Sequence, residues 1–153
     1  MTAHPMTAGE SRFEAQEHRD LAVGLARMEE LIGRAPDLGS EALWARLQDT
    51  LRWLDGDVRP HMVWEDGWLY PRLDDIADTP WATRSARAEH RQIESMIAAL
   101  HADSERWLGH GTPHTCAEVV QHLAAIRAVI VAHVEREERL LLPLLDDPAR
   151  RHH

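Results

Sequence analysis

Cysteine is almost missing from this chain: Cys116 is the only one among 153 residues. That excludes an internal disulfide and any multi-cysteine metal knuckle, and Cys116 itself reads as a small apolar side chain. Phenylalanine and tyrosine occur once each, so the six tryptophans are expected to supply the large pieces of the core. Positive charge is in deficit. Seventeen lysines and arginines stand against 26 aspartates and glutamates, a formal net charge of −9, which argues against nucleic acid or an anionic membrane as principal partner. No apolar run approaches the roughly 18 residues needed to span a bilayer. The start "MTAHPMTAGESR" has no apolar core like a signal peptide's, so a cytoplasmic location is expected. β-Branched runs separated by hairpin turns are also lacking.

What is present is helical periodicity in four long segments, and the length suits one domain over 1–153 with a sizeable core. The first segment runs from about Thr7 to Gly33, the second from about Ser40 to Asp75. The third starts at "DTPW", where Thr79 is a candidate N-cap and Pro80 a first helical residue; Thr112 and Pro113 repeat that signal for the fourth. His18, Leu21, Leu25, Met28 and Ile32 share one face of the first segment, and His90, Ile93, Ile97 and Leu100 one face of the third. Val119, His122, Ile126, Val129, His133, Glu137 and Leu140 form a stripe on the fourth. Gly56, Pro60 and Gly67 interrupt the second, and a kink is expected just before His61. Short connections between long amphipathic helices predict an all-α, up-down-up-down four-helix bundle.

The chain also repeats itself. "HMVWEDGWLYPRLDD" at 61–75 returns as "HVEREERLLLPLLDD" at 133–147, with seven of fifteen positions identical, among them His61/His133, Glu65/Glu137 and Pro71/Pro143. The same 72-residue offset relates "EHR" at 17–19 to "EHR" at 89–91. The bundle therefore reads as two repeated helix pairs, about 7–75 and 79–147, around an approximate two-fold axis. General likeness of amphipathic helices accounts for the repeated leucines. It does not account for His18, His61, Glu65, His90, His133 and Glu137 on the apolar stripes, because a buried unpaired carboxylate costs several kcal/mol.

Residues four apart share a helix face, so His61 with Glu65, and His133 with Glu137, can each point at one place. His18 and His90 can meet them from the facing helices. Four imidazoles and two carboxylates suit two iron ions, with manganese or zinc as other fits; copper(I) and iron–sulfur clusters are poor fits without thiolates. If Glu65 and Glu137 bridge, each ion gains two histidines and two oxygens, leaving positions for an oxide or hydroxide bridge and a small ligand. His18 with His61, and His90 with His133, is the expected pairing, although spacing alone does not fix it.

The pattern H18 … HMVWE … H90 … HVERE resembles the hemerythrin-like, or HHE cation-binding, family, in its H–HxxxE–H–HxxxE variant. The likeness covers nearly the whole chain, and the flanks "EDxxLYPxL" and "EExxLLPxL" fit the family's acidic pair followed by a leucine and a helix-closing proline. It implies an oxygen-bridged, non-haem di-iron centre ligated by His18, His61, Glu65, His90, His133 and Glu137. The chain departs from the oxygen-carrying members, having Glu94 where they have a second histidine, and Glu137 and Glu138 after His133 where they have an aspartate five residues on. Binding, sensing or detoxification of dioxygen, peroxide or nitric oxide, with an electron donor as partner, is then expected in place of oxygen carriage. The alternatives are a di-iron oxidase or oxygenase of an organic substrate, with weak peroxidase- or catalase-like activity also conceivable, and a non-redox metal-binding protein.

Several side chains stay open at this stage. Glu94 is either a ligand or a solvated carboxylate. Asp66 and Glu138 point about 100° away from their neighbouring ligands and are expected to hold histidine tautomers. Trp68 and Trp64 are candidates to wall the pocket, or to pack as bulk. Tyr70 lies about 140° from Glu65 on an ideal helix and is not counted as a ligand. His101 and His122 share one level roughly 16 Å from the metals; with His110 and His114 they make either a second metal site or a polar bundle end. His4, His152 and His153 are terminal.

Overall fold

A computed structural model describes residues 8–106 and 113–146. They form four helices, and no strand occurs among the described residues. α1 is Ala8–Arg34. α2 is α-helical over Ser40–Trp53, Arg59–Trp64 and Tyr70–Ala77, with π-turns at Leu54–Val58 and Glu65–Leu69 between these pieces. α3 is Arg84–Arg106. α4 is α-helical over Pro113–Arg136, continues through a π-turn at Glu137–Leu141 and ends in a 3₁₀ stretch at Leu142–Asp146. α1 packs on α2 and α4, and α3 on α2 and α4, which is the predicted four-helix bundle.

The starts of the helices differ in detail from expectation. Ser40 sits one place inside α2, whose N-cap is Gly39. Thr79 does not open α3: its hydroxyl accepts the Trp81 N–H at 3.2 Å in a tight turn, and α3 begins at Arg84. The residue before it, Thr83, donates its hydroxyl to Asp74 Oδ1 at 2.8 Å, tying the start of α3 to the end of α2. Thr7 and Thr112 lie outside the described residues.

The three π-turns have a common local cause. Each closes with an i→i+5 hydrogen bond to the residue just before a proline: Arg59 N–H to Leu54 O, Tyr70 N–H to Glu65 O, and Leu142 N–H to Glu137 O. Proline has no N–H and its ring collides with the carbonyl four residues back. Widening the preceding turn moves that carbonyl aside and lets the helix run on. Pro60 thus produces a π-turn before His61, and Pro71 does not close α2, which continues to Ala77. The second and third π-turns are related by the 72-residue repeat; the first has no counterpart, because the matching stretch of α4 is regular.

A π-turn adds one residue to a helical turn and rotates everything beyond it. On an ideal helix Trp68 and Leu140 would follow Glu65 and Glu137 inward. Instead they are 61% and 56% exposed, while Leu69 and Leu141 are buried in their place. Trp68 therefore neither walls the interior nor fills the core. The tryptophans among the described residues are not the core pieces expected of them: Trp44, Trp68 and Trp81 are exposed, and Trp53 and Trp64 are half-buried; Trp107 lies outside the described residues. Leucine, isoleucine, valine and methionine fill the bundle, and Cys116 packs against that core from a partly buried position.

The core falls into two apolar clusters. The larger takes residues from all four helices, including Leu25, Met28, Leu47, Ile97 and Ile126. The smaller contains Leu69, Tyr70, Leu73, Ala86, Leu141 and Leu145. Along α2, α3 and α4 the buried histidines and glutamates fall between the two. Against the expectation from sequence, α4 is long and apolar enough to cross a membrane by length and composition; in the bundle its Val119, Leu123, Ile126 and Ile130 belong to the larger cluster.

Gly24 permits one close approach in this packing, since a Cβ there would collide with the Trp53 indole. G24A is expected to lower stability by about 1–3 kcal/mol through overpacking. G33A, where a Cβ meets open space, should instead gain up to about 1 kcal/mol. Denaturant melts of both variants check this, and equal effects at the two positions would contradict it.

Candidate metal centre

All six residues singled out from the sequence, His18, His61, Glu65, His90, His133 and Glu137, are buried and come together in the bundle interior. Their ligand atoms form two groups, each with all atoms within 4.8 Å of one another. One group is Glu14, His18, His61 and Glu65; the other is Glu65, His90, His133 and Glu137. Glu65 belongs to both. Its Oε2 lies 3.2 Å from His61 Nε2 and 3.9 Å from His18 Nε2, while its Oε1 lies 3.0 Å from His90 Nε2 and 3.7 Å from His133 Nε2. Glu137 is divided in the same way, with Oε1 on His133 Nε2 and Oε2 3.7 Å from His18 Nε2.

The outer faces of the imidazoles meet a second ring of carboxylates. His18 Nδ1 is 3.1 Å from Glu138 and His90 Nδ1 is 2.9 Å from Asp66. His133 Nδ1 is 3.4 Å from Glu89, and His61 Nδ1 is 3.7 Å from Glu17. Asp66 and Glu138 are related by the repeat, as are Glu17 and Glu89, so the outer ring has the same two-fold pattern as the histidines. On His18, His90 and His133 the carboxylate holds the proton at Nδ1, turns the Nε2 lone pair inward and raises its basicity, whereas His61 Nδ1 is buried without a hydrogen-bond partner. Glu17 and Glu89 are the acidic residues of the two "EHR" triplets. The repeat carries the signal for them, but each lies beside the histidine of the neighbouring helix, which sequence spacing does not reveal.

Two more groups enter the centre that spacing did not point to. Glu14 is fully buried, one turn before His18, and its Oε1 lies 2.7 Å from His18 Nε2 and 3.6 Å from His61 Nε2. Its repeat counterpart is Ala86, so a search for repeated polar residues passes over it. Tyr70 is the second. Its hydroxyl lies 3.1 Å from both His90 Nε2 and Glu137 Oε1, 3.3 Å from His133 Nε2 and 3.5 Å from Glu65 Oε1. On an ideal helix Tyr70 would point away from Glu65; the π-turn at Glu65–Leu69 supplies the rotation that brings it into the site. Arg87 holds this corner by donating to the Asp66 carbonyl at 3.3 Å and lying over the Tyr70 ring.

Other candidates lie elsewhere. Glu94 turns outward to Arg59, 3.0 Å away, and takes no part in the centre. Trp64 flanks it, with its ring 6.3 Å from that of His61 and edge-on to Phe13. His101 and His122 each take their own aspartate, Asp55 at 2.7 Å and Asp103 at 2.6 Å, in half-exposed positions. Among the described residues they join no metal-binding group. His4, His110, His152, His153 and the His114 side chain lie outside the described residues.

The electrostatics show an interior short of positive charge. Burial alone would lower His18, but Glu137, Glu14 and Glu65 outweigh it and push its pKa up to about 12. His133 rises to about 10 because Glu137 and Glu65 likewise outweigh its burial. Burial lowers His61, and burial together with His133 lowers His90. Glu65 is pushed up by burial and by Glu137. For Glu137, burial is outweighed by the hydrogen bond with Glu65 and by His133 and His18, and it goes down. Burial and the two glutamates drive Tyr70 up, so the phenol keeps its proton. Even so, both Glu14 oxygens, His18 Nε2, His61 Nε2, Glu65 Oε2 and Glu137 Oε2 are buried without a hydrogen-bond partner. Unpartnered carboxylate oxygens and imidazole nitrogens converging on one centre are what a cation satisfies, and nitrogen with oxygen donors and no thiolate fits iron, manganese or zinc.

An all-α bundle with such a buried histidine–carboxylate centre defines a class of metal-binding helical proteins. Within it, the hemerythrin HHE cation-binding domain matches residues 11–152, and the chain belongs to that family. No curated protein and no solved structure matches it.

Removing the carboxylate behind His90 with D66N should weaken metal binding about 10–100-fold, measured by chelator competition; unchanged affinity would contradict the role given to Asp66. Metal binding should also expel the protons that His18 and His133 carry in the metal-free chain. The bound form then holds fewer protons, so affinity for Zn²⁺ should rise between about pH 6 and 8, with proton release detectable by titration calorimetry in buffers of different ionisation enthalpy. A pH-independent affinity would count against it.

Proposed function

We propose that the chain holds two iron ions, one at His18 and His61 and one at His90 and His133, bridged by Glu65 and Glu137, and that it reacts with a small oxidant in sensing or detoxification. The observation that carries this reading is the division of the Glu65 and Glu137 oxygens between the two groups. A carboxylate with one oxygen toward each histidine pair is arranged to bridge two ions. The family is a cation-binding one, and the donor set lacks the thiolates that would favour copper(I) or an iron–sulfur cluster.

When bound, an iron pair supplies one electron from each ferrous ion to dioxygen, peroxide or nitric oxide. The protein's own groups set the conditions. The Nδ1 carboxylates keep the imidazoles oriented and basic. Tyr70, protonated and within 3.1 Å of Glu137, can donate a hydrogen bond to an oxygen atom on the His90/His133 side. The two apolar clusters flank the centre and limit water. Repeated turnover needs an electron donor, and a cytoplasmic reductase is the partner this reading requires.

Protein expressed with iron should be yellow and carry two irons per chain. E65A and E137A should each lose most of that iron. The reduced protein should reoxidise in stopped-flow with at least one of dioxygen, peroxide and nitric oxide. A colourless product holding only zinc after iron-supplemented growth, or full iron retention in either glutamate variant, would sink the reading.

A further inference from the structure

We propose that Glu14 is a terminal carboxylate ligand of the ion held by His18 and His61, so that the two metal positions are unequal and small ligands bind on the His90/His133 side. The inference rests on the two-metal reading above and adds a ligand that the repeated motif does not contain.

Glu14 is 0% exposed, and neither of its oxygens has a hydrogen-bond partner. A buried carboxylate in that condition needs a cation or strong donors. The nearest polar atom, His18 Nε2, is 2.7 Å away but misaligned for a hydrogen bond. A single N–H could satisfy one oxygen. Glu14 presents two, and Glu65 Oε2 and Glu137 Oε2 bring further orphaned oxygens toward the same histidines. One ion among His18, His61, Glu14 and Glu65 meets one ligand atom from each, since these atoms already lie within 4.8 Å of one another.

The other half is built differently. The residue equivalent to Glu14 is Ala86, buried and without a donor atom. The polar group that reaches the His90/His133 position from outside the repeated motif is the Tyr70 hydroxyl, 3.1 Å and 3.3 Å from the two Nε2 atoms. A carboxylate is a charged and persistent ligand, whereas a protonated phenol is a neutral hydrogen-bond donor. Exogenous ligands therefore meet a filled shell at His18/His61 and a replaceable neighbour at His90/His133.

The test uses iron-loaded full-length protein, with metal titration and Mössbauer spectra as readouts. Wild type should bind two irons and show two quadrupole doublets of equal area. E14Q, nearly isosteric, should weaken one binding step at least about tenfold, leave the other within about twofold, and shift one doublet only. In E14A, added acetate should restore the lost step by filling the vacated position, which a purely structural role would not permit. Azide added to wild type should perturb the doublet that E14Q leaves in place. Two unchanged binding steps in E14Q, equal weakening of both, or azide acting on the doublet that E14Q moves would each overturn the proposal. Wild type that binds no iron would overturn the two-metal reading and this inference with it; wild type with two irons and an indifferent E14Q would overturn this inference alone.

Discussion

Buried negative charge is the constraint around which the bundle is organised. Glu14, Glu65 and Glu137 are withdrawn from water in the same small volume, and Glu65 and Glu137 push each other's ionisation in opposite directions. Desolvating such groups is costly unless positive charge meets them. Four imidazoles are what the chain offers, and two of these are driven to hold protons far above their ordinary range. A centre that binds protons so tightly and still leaves four carboxylate oxygens without a hydrogen-bond partner is matched to multivalent cations, which agrees with membership of a cation-binding family.

The apolar packing serves that constraint. Two leucine-rich clusters lie on either side of the polar layer and fix the facing helices at a distance where the Nε2 atoms converge. The outer carboxylates then cross between helices: Glu138 of α4 holds His18 of α1, Asp66 of α2 holds His90 of α3, and Glu89 of α3 holds His133 of α4. α2, α3 and α4 thus each orient a histidine on a neighbour, and no helix pair could build the layer alone.

Departures from two-fold symmetry reach into the inner layer. Glu14 faces Ala86 across the repeat, Tyr70 faces Leu142, and only α2 has the π-turn at Leu54–Val58. A duplicated pair of helices provides the common ligands, and the unrepeated residues distinguish the two positions.

The helix pattern, the two repeated halves and the six buried histidines and glutamates were legible in the sequence because each depends on short-range periodicity: a polar residue on an apolar stripe is visible at a spacing of three or four. What was not legible depends on rotations and neighbours. Trp68 and Tyr70 exchanged roles because a π-turn shifts the face by one residue, although the prolines that end all three π-turns were present as a signal. Glu14 has no repeat partner, and its importance comes from the orphaned oxygens of other helices turned toward it. Glu94 was drawn outward by Arg59, a contact between α2 and α3 that spacing along α3 cannot show. The sequence by itself determined which side chains had to be buried together. Only the tertiary structure decided how their atoms divide between two positions, because that division is set by helix rotation and by contacts between segments far apart in the chain.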